Sequence, residues 1–292
     1  MKTILLTGKN GQVGWELQRT LATLGKVVAL DVEELDLANP AAIRQAMRAI
    51  RPDIIVNPAA YTAVDKAESE PHLAQAINAE APGVFAEEAK ALGAWMVHYS
   101  TDYVFSGAKQ GAYLETDTPN PQSVYGKTKL AGEEAVHAAG GRHLILRTSW
   151  VYGSRGHNFM LTMLRLARER KELRVVDDQI GAPTWCRSLS EITAQILAQL
   201  HMPGRDAGEV SGTYHLTSSG SVSWHGFARA ILDQSGLETL PKLVAIPSHE
   251  YPTPAVRPKN SVLSNDKLIR TFGLAAGAWQ ANLDLCMQEL RR

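Results

Sequence analysis

Tyr125 and Lys129 stand four positions apart in "SVYGKTKLAGE", where a helix is expected to begin. Residues so spaced share one helix face with Cβ atoms about 6 Å apart, so the ammonium can reach toward the phenol or toward a ribose between them. A phenol is a poor acid, with an ordinary pKa of about 10, and a nearby cation favours its charged form. Bringing that value toward ~7 takes roughly 4 kcal/mol of preferential stabilisation, within reach of one cation and a bound nicotinamide ring. Such a phenol can hand its proton to a carbonyl oxygen as hydride reaches the carbon. A YxxxK pattern also arises by chance, so a second signal is needed. "HYSTDYVFSG" supplies it, because Ser100 and Thr101 close an apolar run, and open α/β sheets place their ligand crevice at such strand ends. A hydroxyl there can hydrogen-bond the carbonyl that Tyr125 protonates. The expected chemistry thus rests on Tyr125 and Lys129 with a hydroxyl of Ser100 or Thr101.

A hydride donor needs a binding site, and "TILLTGKNGQVGWEL" offers one. An apolar strand runs into a turn with Gly8, Gly11 and Gly14 and then into a helix whose Val13, Leu17, Leu21 and Leu24 share a face. Glycines permit a tight turn and close backbone approach, and a helix N-terminus directs unpaired N–H groups at a pyrophosphate. The loop residues Gly8, Asn10, Gly11, Gln12, Val13 and Gly14 are the candidate cradle. Asp31 ends the next apolar run, "KVVALD", about 20 residues further on, where an acid can accept from an adenine ribose and so favour NADH. Lys9 could instead pair with a 2′-phosphate, which leaves NADPH or NADH open.

The elements around these residues follow a repeating order. Apolar runs at residues 4–6, 27–30, 54–56, 95–99 and 144–146 read as buried strands, because successive and not merely alternate residues are apolar. Helical segments are expected at 13–24, 40–50, 73–92 and 125–139. Strand then helix, repeated, predicts an α/β fold with a doubly wound parallel sheet covered on both faces. The second half is less regular. "RVVDDQIGAPTW" reads as extended and loop-like, 189–200 as an apolar helix, and "GTYHLTSSG" then "SWHGFARAIL" as one more strand and helix. "IPSHEYPTPAVRPKN" holds four prolines and is no regular element; it suits a lid or substrate lobe, or a plain surface loop. Residues 1–149 are thus expected to form a Rossmann dinucleotide domain. Residues 150–292 are expected to form a smaller substrate-binding lobe interleaved with the last Rossmann strand and helices.

Composition removes several alternatives. With 45% hydrophobic and 21% charged residues the chain can bury a sizeable core. Lys+Arg and Asp+Glu both number 30 and no basic block occurs, so the electrostatic footprint of a nucleic-acid binder is missing. Cys186 and Cys286 are the only cysteines, far apart and without metal-ligand spacing, which fits a reducing compartment. The histidines, including His98, His157, His215 and His225, form no i, i+4 metal pair. The opening "MKTILLTGKNG" is too short an apolar run for a signal peptide, and no run of membrane-spanning length follows. A cytoplasmic protein that binds a small ligand is the expectation.

The GxxGxxG loop, the Thr at a strand end and YxxxK about two dozen residues later resemble, together, the extended short-chain dehydrogenase/reductases. Sugar dehydratases in that superfamily follow the Thr with an Asp-Glu pair that eliminates water. Here Thr101 is followed by Asp102 and Tyr103, so plain carbonyl reduction is the simpler chemistry, with Thr101 and Asp102 holding the sugar. "GKNGQVGWEL", "RPDIIVNPAAYTAVDKAESEP", "HYSTDYVF", "VYGKTKLAGE", "LRTSWVYG", "DQIGAPT" and "YPTPAVRPKNSVL" each resemble a segment of the dTDP-4-dehydrorhamnose reductase family. That resemblance implies reduction of the 4-keto group of dTDP-4-dehydro-L-rhamnose to dTDP-L-rhamnose, supplying cell-surface polysaccharide. It implies Asp36 and Leu37 on the adenine side, in a turn that also reads as an ordinary N-cap at Asn39. It implies Ala60, Tyr61 and Thr62 along the ribose and nicotinamide path, and Trp150, Gln179 and Arg257 toward the dTDP-sugar. A homodimer, with Mg²⁺ at the dimer contact, is a further implication, although the sequence offers no carboxylate cluster for it. Pro58 and Tyr61 depart from the residues expected near the nicotinamide. Two rival readings keep the fold: a non-catalytic, nucleotide-binding regulatory subunit of methionine adenosyltransferase, which the joint presence of Thr101, Tyr125 and Lys129 disfavours, and a reductase of another dTDP-4-keto-6-deoxysugar.

Overall fold

A computed structural model describes residues 1–200 and 210–291. Its centre is a six-stranded, wholly parallel sheet. In chain order the elements of the first half are β1 (Lys2–Thr7), α1 (Gln12–Thr20), β2 (Gly25–Leu30), α2 (Pro40–Ile50), β3 (Ile54–Asn57), α3 (Val64–Ala67), α4 (Pro71–Gln75), α5 (Ala81–Leu92), β4 (Trp95–Thr101), α6 (Val124–Ala139) and β5 (His143–Thr148). The second half adds β6 (Val151–Tyr152), α7 (Phe159–Glu169), β7 (Glu172–Val176), β8 (Ile180–Gly181), β9 (Thr184–Trp185) and α8 (Cys186–Leu200). It continues through β10 (Gly212–His215), β11 (Val222–Ser223), α9 (Trp224–Asp233), β12 (Lys242–Ile246), α10 (Asp266–Phe272) and α11 (Trp279–Leu290). The spatial order is β10-β5-β4-β3-β1-β2, so the chain reverses direction across the sheet between β1 and β3. This is the doubly wound order whose switch point forms a ligand crevice at the strand C-termini.

The apolar runs are continuous because both faces are covered. Ile4, Leu6, Ile54 and Val56 pack with Leu17 of α1 and Leu21 just past its end, with Leu189, Ile192 and Ile196 of α8 and with Leu268 of α10. Leu5 and Ile55 point the other way, to Ile43 and Met47 of α2, Phe85 and Ala89 of α5 and Val136 of α6. A fully buried Ile or Leu of this kind contributes about 1.5–3 kcal/mol relative to an exposed one. A separate core gathers Met160 and Met163 of α7, Leu173 and Val175 of β7, Phe227 and Ile231 of α9, and Leu283 and Met287 of α11. There β7 pairs in parallel with β12, β8 antiparallel with β11 and β6 in parallel with β9.

Two expected helices are subdivided. The one expected at 13–24 ends as α1 at Thr20 and tightens into a 3-10 turn, Leu21–Thr23, that leads directly into β2. The one expected at 73–92 carries a π-helical stretch, Ala76–Glu80, between α4 and α5. That bulge turns Asn78 inward, where its side chain bonds the Tyr61 N–H (2.8 Å), the Tyr61 carbonyl (3.1 Å) and the Thr128 hydroxyl (3.2 Å). Gly132 of α6 lies against the same turn: a Cβ there would sit 2.1 Å from the Asn78 carbonyl oxygen. Helix periodicity is blind to such a bulge, because one inserted residue preserves the apolar character of the rod. The proline-rich segment is irregular apart from a 3-10 turn at Ser248–Glu250. No described helix is long and apolar enough to cross a membrane.

Candidate active site

The glycine turn is built by contact. Gly8 adopts φ +62°, and a Cβ on Gly14 would lie 1.9 Å from the Gly8 carbonyl oxygen. Gly11 N–H donates to the Gly8 carbonyl (3.0 Å), and α1 starts at Gln12 with no side-chain cap, leaving first-turn N–H groups directed outward. The Asp31 carboxylate holds the loop, accepting from the Asn10 N–H (2.8 Å) and the Val32 N–H (2.8 Å). Beside the loop lies a cavity of about 150 Å³ lined by Gly8, Asp31, Asp36, Leu37 and Ala60 among others. A cradle that a single Cβ would fill, opening on an acid-bordered cavity, fits the pyrophosphate and adenosine of a dinucleotide. Gly14→Ala is expected to introduce overpacking strain of about 1–3 kcal/mol and, through the displaced loop, to weaken dinucleotide binding at least about tenfold. A fluorescence titration with NADH checks this.

Other nucleotide-side candidates are placed less uniformly. Asp36 accepts from the Ala38 N–H (2.8 Å), while Asn39 caps α2 by accepting from Ala41 and Ala42 (both 3.1 Å), so the turn and the cap coexist. Gln12 turns toward the second half of the chain, where its amide oxygen accepts from Asn158 (2.9 Å). Tyr61 is directed to Glu70, its hydroxyl donating at 2.6 Å, and that carboxylate raises the phenol's pKa above the ordinary value. Thr62 is exposed. Of Ala60, Tyr61 and Thr62, Ala60 alone lines the cavity.

Thr101 and Tyr125 come together at the C-terminal end of β4. Alternation along the strand sends Ser100 to the opposite side, where its hydroxyl donates to Glu133 at 2.5 Å. The start of α6 is fixed three ways. Ser123 caps it by accepting from the Gly126 N–H (3.1 Å), Glu68 accepts from the Val124 N–H (2.8 Å), and Gly126 presses on the turn after β4, where a Cβ would lie 2.3 Å from the Tyr103 carbonyl oxygen. Tyr125 is consequently held edge-on to Tyr103, with ring centroids 5.5 Å apart. Burial pushes the half-buried Tyr125 phenol up to about 12; the Thr101 hydroxyl opposes that rise and the Asp102 charge adds to it.

Lys129 departs from the expectation that its ammonium reaches toward Tyr125. It is 2% exposed, donates to the Tyr99 carbonyl oxygen (2.6 Å) and lies 3.2 Å from His98 Nε2. A buried ammonium must satisfy its N–H groups, and β4 presents a carbonyl and an imidazole within reach. Burial pushes its pKa down to about 8, against the pull of Glu133. Glu133 is itself buried against Arg147, with Nε–Oε1 at 2.9 Å and Nη2–Oε2 at 2.5 Å.

On the sugar side, Asp102 is 2% exposed and one of its oxygens has no hydrogen-bond partner. Burial lifts its pKa to about 6, against hydrogen bonds from Thr101 and Ser261. Trp150 follows β5 with φ +48° and stacks on Trp224, rings 3.5 Å apart and 6° from parallel. Gly181 leaves room for it, since a Cβ there would meet the Trp150 ring at 2.4 Å and the Ser261 hydroxyl at 2.7 Å. Gln179 is buried and donates to Ser248 (2.9 Å). Arg257 makes a two-point pair with Asp65 (3.0 and 2.7 Å), tying the proline-rich segment to α3. Asn78, Trp224 and Ser261 join the neighbourhood without having been singled out, and His98 joins it after being weighed only as a metal ligand. All four stood in stretches already noted, Asn78 in the helix expected at 73–92, His98 in "HYST", Trp224 in "SWHGFARAIL" and Ser261 in "RPKNSVL". Among the described residues no group of three His, Cys, Asp or Glu side chains could hold a metal ion, so Mg²⁺ gains no support.

Known proteins share this arrangement over its full extent. Residues 1–292 match the family described as "RmlD substrate binding domain". The dTDP-4-dehydrorhamnose reductase of Burkholderia thailandensis is 50% identical, covering 98% of this chain and 98% of its own. A crystal structure of a dTDP-4-dehydrorhamnose reductase from Clostridium acetobutylicum superposes with TM-score 0.92 at 38% identity, covering 99% of this chain and 100% of its own. One from Bacillus anthracis, in complex with NADP, superposes with TM-score 0.90 at 36% identity over 99% of each chain. Matched to the family model along residues 1–292 and 50% identical to a reductase over nearly its whole length, the chain belongs to the dTDP-4-dehydrorhamnose reductase family.

Proposed function

We propose that this protein reduces the 4-keto group of dTDP-4-dehydro-L-rhamnose with NADH or NADPH, giving dTDP-L-rhamnose. The observation that carries the reading is the meeting of Thr101 and Tyr125 at the end of β4, alongside the switch-point crevice that holds the glycine cradle. Residues 1–149 hold the dinucleotide, and residues 150–292 hold the sugar nucleotide, with Trp150, Gln179 and Arg257 on that side. Bound at the glycine loop, the reduced dinucleotide supplies hydride. Tyr125, protonated because its pKa lies far above neutral, donates its proton to the ketone oxygen while the Thr101 hydroxyl hydrogen-bonds the same oxygen. Lys129, one turn further along α6, holds its buried amine against the Tyr99 carbonyl and His98. Elimination of water is disfavoured by residue 103, where a base would stand. Burial and the Asp102 charge raise the Tyr103 phenol well above its ordinary pKa, so it takes up no proton near neutral pH.

The adenosine end of the cavity carries Asp31, with Glu34 and Lys9 paired beside it. Because Lys9 is already paired, this balance supports a ribose without a 2′-phosphate. The expected outcome is oxidation of NADH, at least as efficiently as NADPH, only when a dTDP-4-keto-6-deoxysugar is supplied, with dTDP-L-rhamnose identified by NMR. A talose-configured product would redirect the reading to the other reductase. Dinucleotide binding without turnover, accompanied by capture of methionine adenosyltransferase, would overturn it in favour of a regulatory subunit.

A further inference from the structure

Four polar side chains cross the sheet in a buried line beneath the crevice: Thr7 at the end of β1, Asn57 at the end of β3, His98 in β4 and Lys129 in α6. Thr7 Oγ1 lies 2.5 Å from Asn57 Oδ1, Asn57 Nδ2 lies 3.2 Å from His98 Nδ1, and His98 Nε2 lies 3.2 Å from Lys129 Nζ. None is more than 2% exposed, so water does not complete their bonding and each must be matched by its neighbours.

Matching donors to acceptors allows two complete patterns on the same heavy atoms. With Lys129 as an ammonium, it donates to the Tyr99 carbonyl and to His98 Nε2. The ring proton then sits on Nδ1 and is given to the Asn57 amide oxygen, and the Asn57 amino group faces the Thr7 hydroxyl. With Lys129 as a neutral amine, the chain runs backwards: Thr7 donates to the Asn57 oxygen, Asn57 to His98 Nδ1, and His98 Nε2–H to the amine lone pair. Only the amide orientation, the histidine tautomer and one proton differ.

We propose that His98 is a positioning residue for Lys129, fixing the amine against β4 one turn along α6 from Tyr125 and coupling its protonation, through Asn57, to Thr7 beside the nucleotide loop. The proposal deepens the reductase reading and rests on it for its catalytic consequence. The groups facing Lys129 are His98 and the Tyr99 carbonyl from β4 and Glu133 from its own helix, with Arg147 of β5 behind Glu133. From β1 and β3 the line contains only the uncharged Thr7 and Asn57. Burial and the Lys129 charge hold His98 well below its usual pKa, so it faces Lys129 as a neutral ring.

The sign of the effect follows. In the charged pattern His98 accepts from the ammonium, so deleting that acceptor disfavours the charged form and moves Lys129's midpoint to lower pH. His98→Phe is expected to lower the midpoint, read by NMR of Cε-labelled lysine with Lys129→Arg as the assignment control, by about one pH unit. The alkaline limb of kcat should move with it. His98→Gln, whose amide can accept from Lys129 and donate to Asn57, restores both. Asn57→Asp, which rewards the Nδ1–H tautomer, is expected to raise the midpoint instead, and it decides the matter if His98→Phe does not fold. A folded His98→Phe or Asn57→Asp protein with an unmoved Lys129 midpoint overturns the proposal. Because the midpoint is read without turnover, a wild-type protein inactive on the keto sugar would refute the reductase reading separately.

Discussion

Tyr125→Phe is expected to lose about a thousandfold in kcat, within the range that a positioned general acid supplies, while NADH affinity stays nearly unchanged. The substitution removes one oxygen and keeps the ring that packs edge-on to Tyr103. Ser123, Glu68 and Gly126 continue to fix the start of α6, since none of them bonds the phenol. Thr101 remains at the ketone side but carries no proton it can surrender at neutral pH, so it does not replace the lost acid. Stopped-flow turnover with the keto sugar, beside an NADH titration, separates the two effects. Full activity in the variant would remove Tyr125 from the proton step. Equal losses of rate and cofactor affinity would instead show that the phenol serves binding.

Glu133→Ala is expected to be the most damaging single change to stability. Glu133 and Arg147 are 2% and 4% exposed, and the carboxylate also accepts from Ser100. Removing one member of a buried pair strands the other, at about 3–5 kcal/mol. The guanidinium has no substitute nearby. His215, beside it, is driven down to about 3 by burial and by Arg147 itself, so it stays a neutral ring and cannot replace the carboxylate. Arg147 Nη1 already lacks a hydrogen-bond partner. A fall in Tm on the order of 10 °C follows, against a near-neutral effect for the exposed Arg165–Glu169 pair. Thermal denaturation of both variants makes the comparison; equal shifts would show that the buried pair contributes no more than a surface one.

Much of this arrangement was legible in the chain. The five apolar runs became β1 to β5 because strands covered on both faces must be apolar on successive residues, which sequence displays directly. The glycine turn was legible for a similar reason: the left-handed φ of +62° at Gly8 and the 1.9 Å approach of a Gly14 Cβ to the Gly8 carbonyl oxygen both arise within the loop itself. What escaped depended on partners distant in sequence. The spacing of Tyr125 and Lys129 fixed a shared helix face, yet the direction of the ammonium was decided by the Tyr99 carbonyl and His98, about 30 residues away. Tyr61 looked like part of the nucleotide wall, and a carboxylate one short helix later turned it aside. The π-helical stretch that aims Asn78 inward leaves no trace in apolar periodicity.

Arg257 and Asp65 are 192 residues apart in the chain and meet at the crevice rim. An arginine so engaged is not an idle cation awaiting a diphosphate: an incoming phosphate must compete with a carboxylate for the same planar fork. If Arg257 meets the sugar nucleotide as proposed, binding there is an exchange of partners: the phosphate takes the fork that Asp65 holds, and the tie between α3 and the proline-rich segment is given up.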